Sequence, residues 1–283
     1  MPAEGTALDA PFREPSAQEG FLLEAHMSEK QNRKKHLAIN IPSIVLGSAL
    51  ILLWQLVSGS GIVPPYMLPS PLRIVLAAAK DLPLLTVHLL QTLKEAAAGL
   101  GLALVVSFVL AILMDLNRFI KETVTPLLTL TQTMPVIALA PLLILWMGYG
   151  SAPKIALVFL TCFFPITVGL LGAFAQADDD QLKLLKSMGA KRHELYRYIK
   201  LPQSLPAFFS ALRISAAYSI IGAVIAEWLG GDAGLGVYMI RVRKSYSFDR
   251  MFAAIILVSL LSLALIKAVE LIERAATPWK NVQ

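Results

Sequence analysis

The chain has 283 residues, 56% hydrophobic and only 16% charged, against about 25% charged in ordinary soluble domains, which excludes a typical soluble fold and predicts an integral membrane protein. Its net charge of +6 fits cationic loops held at the cytoplasmic face of a bilayer, so no nucleic-acid partner is expected. The single cysteine, Cys162, excludes an internal disulfide and has no partners for a metal site, which leaves it a packing role.

Residues 1–35 are polar and lack a signal-peptide core, so a disordered cytoplasmic tail is expected, with MSEKQNRKKHL from Met27 reading as a natural beginning. The first apolar run, 37–57, has no small-residue cleavage site at its end and reads as a retained anchor. A second span is predicted over 96–114, entered through the more polar HLLQTLKE. Its Gly99, Gly101, Ala103 and Ser107 allow close helix approach, either within one bundle or at a dimer face. Lys94 and Glu95 stand at its outer entrance, where they could pair with neighbouring helices; the pattern names no partner.

The third span, 124–147, is free of charge but contains Pro126, Pro135 and Pro141. Proline removes a backbone donor and bends a helix, and broken backbone at membrane depth belongs against protein or a watery cavity. TQTMP therefore offers Thr131, Gln132, Thr133 and Pro135 as candidates for lining a pathway, with a plain structural kink as the alternative. Pro165, in FFPIT of the fourth span at 155–176, is a similar case. The fifth span, 206–228, carries Arg213 near its cytoplasmic end and finishes on Glu227, which reads as an interfacial anchor or as part of an outer gate. The sixth, 251–271, ends near a snorkelling Lys267. Together these make an all-α polytopic membrane domain over 36–275, followed by a cytoplasmic tail at 276–283.

Lysine and arginine are about twice as numerous on one set of loops as on the other, which places both termini in the cytoplasm. The stretch 177–205 is then the longest internal cytoplasmic loop. Leu182, Leu185 and Gly189 share a helical face, with Leu184 and Met188 beside it and Lys183 and Lys186 on the polar side. Gly189 sits where a helix cap takes positive φ. A second short helix over roughly 191–199 is expected to stop at Leu201-Pro202. Such a helix-turn-helix outside the membrane needs a partner for its apolar face, the alternative being a helix lying on lipid. The outer loop IRVRKSYSFDR at 240–250 breaks the charge bias through Arg241, Arg243 and Lys244, as a solvated loop or as a docking surface.

Gly189, nine residues, then Ile199, Leu201 and Pro202 resembles the cytoplasmic signature of ATP-binding-cassette (ABC) importer permeases, E-A-A, three residues, G, nine residues, I-x-L-P. The E-A-A positions here hold Lys183, Leu184 and Leu185. YMLPSP at 66–71, MPVIALAPLLILWMGYG at 134–150 and AEWLGGDAGLGVYM at 226–239 resemble the nitrate/sulfonate/taurine-type branch, and the stretch from 226 looks most like permeases for pyrimidine precursors of thiamine. The resemblance implies the type I importer permease fold in a bacterial inner membrane. It implies that 183–202 is a coupling helix seated on a separate ABC ATPase, with Gly189 and Ala190 allowing close approach and Leu185 and Met188 filling the groove. It further implies a second copy of the chain, an external solute-binding protein, and ATP and Mg bound by the ATPase alone; the cations Arg241, Arg243 and Lys244 are read as a surface on which that binding protein would dock.

No G-x-x-x-x-G-K-[ST] is present, so no phosphate cradle is expected in this chain. GYGSAPK at 148–154 has the wrong spacing, and GGDAGLG at 230–236 has no strand before it and reads as a turn back into the membrane. No nucleophile–base set or Cys/His cluster is seen, and enzyme activity and resident cofactors are not expected. The rival class, an ion-driven secondary transporter, calls for buried carboxylates or histidines near the midplane, which the second to fourth spans lack. The expected cargo is a small polar solute, an aminopyrimidine vitamin precursor first and sulfonate, taurine or nitrate next.

Overall fold

The computed structural model describes residues 41–61, 63–64 and 66–278. The expected tail at 1–35, the beginning at Met27 and residues 279–283 lie outside them. Among the described residues every regular element is a helix.

α1 (Ile41–Gly59) belongs to a separate N-terminal unit ending at Val57. Its 19 residues rise roughly 28 Å, near the thickness of a hydrocarbon core. It is apolar all round, and Leu46, Leu50, Leu53 and Leu56 are all exposed, as suits lipid rather than water. The Ser48 hydroxyl bonds back to the Ile44 carbonyl at 2.9 Å, so its polar group is satisfied within the helix.

The second unit opens with α2 (Pro71–Lys80), started by proline in the first turn and by the Ser70 side chain accepting from the Arg73 N–H. α3 runs unbroken over Leu82–Leu116, 35 residues or roughly 52 Å. That is well beyond the expected 96–114, because the polar residues before the apolar run find protein partners instead of ending the helix. The expected third span is not one straight helix. α4 (Arg118–Thr133) and α5 (Val136–Met147) meet at a bend of 105° around Met134 and Pro135. Proline cannot donate to the ladder and pushes the residue before it out of helical geometry; Met134 has ψ of 128°. Pro126 and Pro141 lie inside their helices without breaking them.

α6 (Ala152–Ala175) and α9 (Leu201–Leu229) form the centre of this unit, with α3 and α11 (Phe248–Ala276) against them. α3 and α6 run in the same direction, and close approach is set by small residues. A Cβ on Gly99 would overlap Val158, and one on Gly169 would overlap Ala211. Ala103 and Ser107 continue the Gly99 stripe, and Ser107 donates to the Phe163 carbonyl at 3.0 Å. Gly101 meets nothing and faces away. Cys162 is wholly buried in the same core.

Among the described residues four helical segments are long and apolar enough to cross a membrane alone, namely Leu82–Leu116, Ala152–Ala175, Arg192–Leu229 and Phe248–Ala276, and the bent α4–α5 pair makes a fifth candidate. Along the described helices of the second unit, charge-free stretches separate two belts of charged residues. Residues 96–114, 155–175, 214–226 and 251–266 contain no charged side chain. The intervening stretch on α3, from Glu95 to Asp115, rises roughly 30 Å, about one bilayer core.

At one end of the bundle α7 (Asp179–Ser187), α8 (Arg192–Leu195) and a π-helical turn at Tyr196–Lys200 connect α6 to α9. Leu201-Pro202 does not stop the second helix as expected. The Leu201 N–H bonds to the Tyr196 carbonyl, five residues back, and this wider turn admits Pro202, so the helix continues into α9. At the other end, α10 (Leu235–Lys244) replaces part of the loop expected at 240–250.

Candidate functional site

Three places bear on function. The first is a cavity of about 480 Å³ between α4, α6 and α9, at a depth between the two charge belts. Thr131 and Gln132 reach it from α4, Thr161, Phe164 and Pro165 from α6, and Ile214, Tyr218, Ile221 and Gly222 from α9. Pro165 lacks the N–H that would otherwise bond the Thr161 carbonyl, so polar backbone is offered at this depth. The Thr131 and Thr161 hydroxyls donate to their own helices, at 2.7 Å to Leu128 and 2.8 Å to Val158, which leaves their oxygens as acceptors. Thr133, Pro135 and Glu227, expected to share this lining, are not among its described residues. Tyr218, Thr161 and Gly222 were not anticipated. Tyr218 is the one phenol in the long apolar run of α9, which is the signal that could have found it.

The second place is the connection at 176–200. Asp178 caps α7, accepting from the N–H groups of Asp180 and Gln181. Gly189, at φ 86°, closes it: the Gly189 N–H reaches the Lys186 carbonyl at 2.9 Å and the Ala190 N–H reaches Leu185 at 3.1 Å. Leu184 and Met188, four residues apart, form an exposed apolar pair, and Lys183 and Gly189 are also exposed. Leu185, expected to project outward with Met188, is half-buried instead, because the outward face of α7 is set by Leu184. Ile199 is buried, and Leu201 and Pro202 belong to the start of α9. Three sets of contacts anchor the connection. Gln203 bonds Gln181 at 2.9 Å and accepts from the Asp178 N–H. Tyr196 and Lys200 both donate to Asp115 at the end of α3. The rings of Tyr196 and Phe174 meet edge to face.

The third place, at the opposite end, was missed. Glu95 is buried and accepts from Lys154 at 2.9 Å, Ser151 at 3.0 Å and Gln91 at 2.7 Å, all through one oxygen; its other oxygen has no hydrogen-bond partner among the described residues. Glu227 accepts from Thr92 at 2.7 Å and from the Gly236 N–H at 2.6 Å. The next two N–H groups of that turn are held as well, Leu235 by Thr92 at 2.8 Å and Gly234 by His88 at 2.9 Å. Three consecutive backbone donors are thus received by side chains of α3 and α9. Nearby, the Tyr238 hydroxyl donates to Asp81 at 2.8 Å, and Arg250 pairs with the same carboxylate at 3.3 Å. Burial, helped by the Asp81 bond, pushes the Tyr238 phenol above its ordinary value and keeps it a donor. Glu227 is 2% exposed and is held in this network rather than lining the cavity. Adjacent charges at 94 and 95 hinted at the site, but its partners are about 60 and 135 residues distant. Arg241, Arg243 and Lys244 are exposed on the last turn of α10, and Arg241 bonds the Asp232 carbonyl at 2.8 Å.

Residues 103–278 match the profile of a family described as binding-protein-dependent transport system inner membrane component. The chain is 37% identical to the formylaminopyrimidine transport permease protein ThiX of Halalkalibacterium halodurans, over 83% of this chain and 94% of that one. It is 29% identical to a putative aliphatic sulfonates transport permease protein, SsuC of Bacillus subtilis, over 84% and 87%. The backbone is similar to that of the MetNI methionine ABC transporter in inward-facing conformations, with a TM-score of 0.63 at 19% identity, covering 70% of this chain and 98% of that one.

Proposed function

This chain belongs to the family of binding-protein-dependent transport inner-membrane components and is a multi-pass ABC importer permease subunit, and we propose that its cargo is a thiamine-precursor aminopyrimidine of the hydroxymethylpyrimidine kind. The observation that carries this reading is the 37% identity, over 83% of this chain and 94% of the other, to a formylaminopyrimidine permease. The competing cargo is an aliphatic sulfonate, taurine or nitrate, favoured by the 29% likeness to the sulfonate permease.

In this reading two copies of the chain meet around a shared path to which the cavity at Thr131, Gln132 and Pro165 contributes. An external binding protein delivers the solute to the end bearing α10, where Arg241, Arg243 and Lys244 offer a cationic rim. A separate ATPase, holding ATP and Mg, seats Leu184 and Met188 in its groove, with Lys183, Gly189 and Ala190 at the contact and Leu185 behind them. Both termini and the 176–200 connection are then cytoplasmic. Closure of the ATPase pair pushes the connection, and the helices rock between inward-open and outward-open states.

The test is uptake into vesicles carrying the permease, its ATPase and loaded binding protein. Labelled aminopyrimidine enters when ATP is supplied and continues to enter after the proton gradient is collapsed. Uptake that ignores ATP and dies with the gradient would assign the chain to the ion-driven class.

A further inference from the structure

Resting on that cargo reading, we infer that the permease itself carries a selectivity site for a neutral, planar nitrogen heterocycle, formed by the Gln132 carboxamide and the Tyr218 phenol across the cavity between α4 and α9.

The first support is charge. The cavity's described lining holds no Asp, Glu, Lys or Arg. Arg213 precedes a lining residue but turns away, to Ser210 at 3.1 Å and Glu273 at 3.6 Å. A sulfonate or nitrate at this depth would leave water without meeting a cation, which costs several kcal/mol or more. A neutral solute avoids that cost.

The second support is the inventory of polar groups. Thr131 and Thr161 have directed their protons into their own helices and present only acceptor oxygens. Gln132 and Tyr218 make no hydrogen bond within the described residues. A carboxamide offers a donor and an acceptor side by side, the complement of an exocyclic amino group next to a ring nitrogen. The phenol adds a donor and an aromatic face for stacking. Remaining walls are apolar: Leu160, Phe164, Ile221 and Ile225. The volume, about 480 Å³, is ample for a single six-membered ring, so the solute is sorted without being tightly held, as a path that must release it requires.

Both side chains are exposed to the cavity rather than packed in the core, so they can be changed with little effect on folding. Gln132→Leu and Tyr218→Phe are tested in vesicles with the complete transporter, ATP and a range of loaded binding-protein concentrations. Co-purification with the ATPase checks assembly. Each variant is expected to lower the maximal aminopyrimidine uptake rate about fivefold, the effect of one lost hydrogen bond. The binding-protein concentration giving half the maximal rate should stay constant, which separates the cavity from docking. Either variant retaining the wild-type maximal rate overturns the inference while the cargo reading stands. Wild type that imports an alkanesulfonate and no aminopyrimidine overturns both.

Discussion

Lys154 is 3% exposed and its partner Glu95 is 1% exposed, so neither charge can fall back on water. Removing one member of such a pair strands the other, at a cost of about 3–5 kcal/mol, whereas replacing both by neutral groups of similar size is far milder. Lys154→Met should therefore sharply lower the melting temperature of the purified protein, and adding Glu95→Gln should recover most of the loss. A double variant no better than the single one would mean that the ion pair is not what holds this end together. Gly234 makes a related case. It stands at φ 129°, and a Cβ there would overlap the Glu227 carboxylate. Gly234→Ala should cost about 1–3 kcal/mol and free the turn that His88, Thr92 and Glu227 hold, read as faster hydrogen exchange at 230–236. Unchanged exchange would show that the turn does not depend on this glycine.

At the scale of elements, the π-helical turn decides how α7 is mounted. Had Leu201-Pro202 ended a helix, α7 and α8 would hang on a hinge. Instead the chain is helical from Arg192 to Leu229, and Asp115 fastens the same turn to the end of α3. If α7 is the surface that an ATPase pushes, the push would be delivered to α9, whose Ile214, Tyr218 and Gly222 line the cavity. Leu184 and Met188 are the apolar residues that α7 leaves uncovered. Burying two such side chains is worth about 1.5–3 kcal/mol each. Leu184→Glu with Met188→Glu should weaken ATPase binding at least about tenfold and leave the permease folded. Full ATPase retention by that double variant would place the contact elsewhere on the connection.

For the whole molecule, the two charge belts give a measurable orientation. Cys162 is buried and provides little background, so reporters at Lys183→Cys and Lys244→Cys can be compared with an impermeant thiol reagent. The Lys244→Cys protein should react in intact cells, and the Lys183→Cys protein only after permeabilisation. The opposite pattern would invert the topology. If the exposed cations of α10 guide docking, changing Arg241, Arg243 and Lys244 to Glu should raise the binding-protein concentration needed for half-maximal uptake several-fold at physiological salt. No change would leave those residues as a solvated end of a helix.

The sequence by itself determined the class of the molecule. Spans declare themselves through long runs without charge, because each residue placed in lipid is chosen for that solvent locally. Gly189 and its spacing to Ile199 and Pro202 were equally legible, since a cap and a turn are set by neighbours along the chain. The break at Pro135 was legible too, but tertiary structure alone decided that it opens to 105°, that α3 extends back to Leu82, and that Pro202 is absorbed by a wider turn. It also brought Thr92, Glu95, Lys154 and Glu227 to one end and Gln132 and Tyr218 to one cavity. Polar groups in an apolar bundle are satisfied by whichever helix packs beside them, and that choice belongs to packing between distant segments rather than to any local pattern.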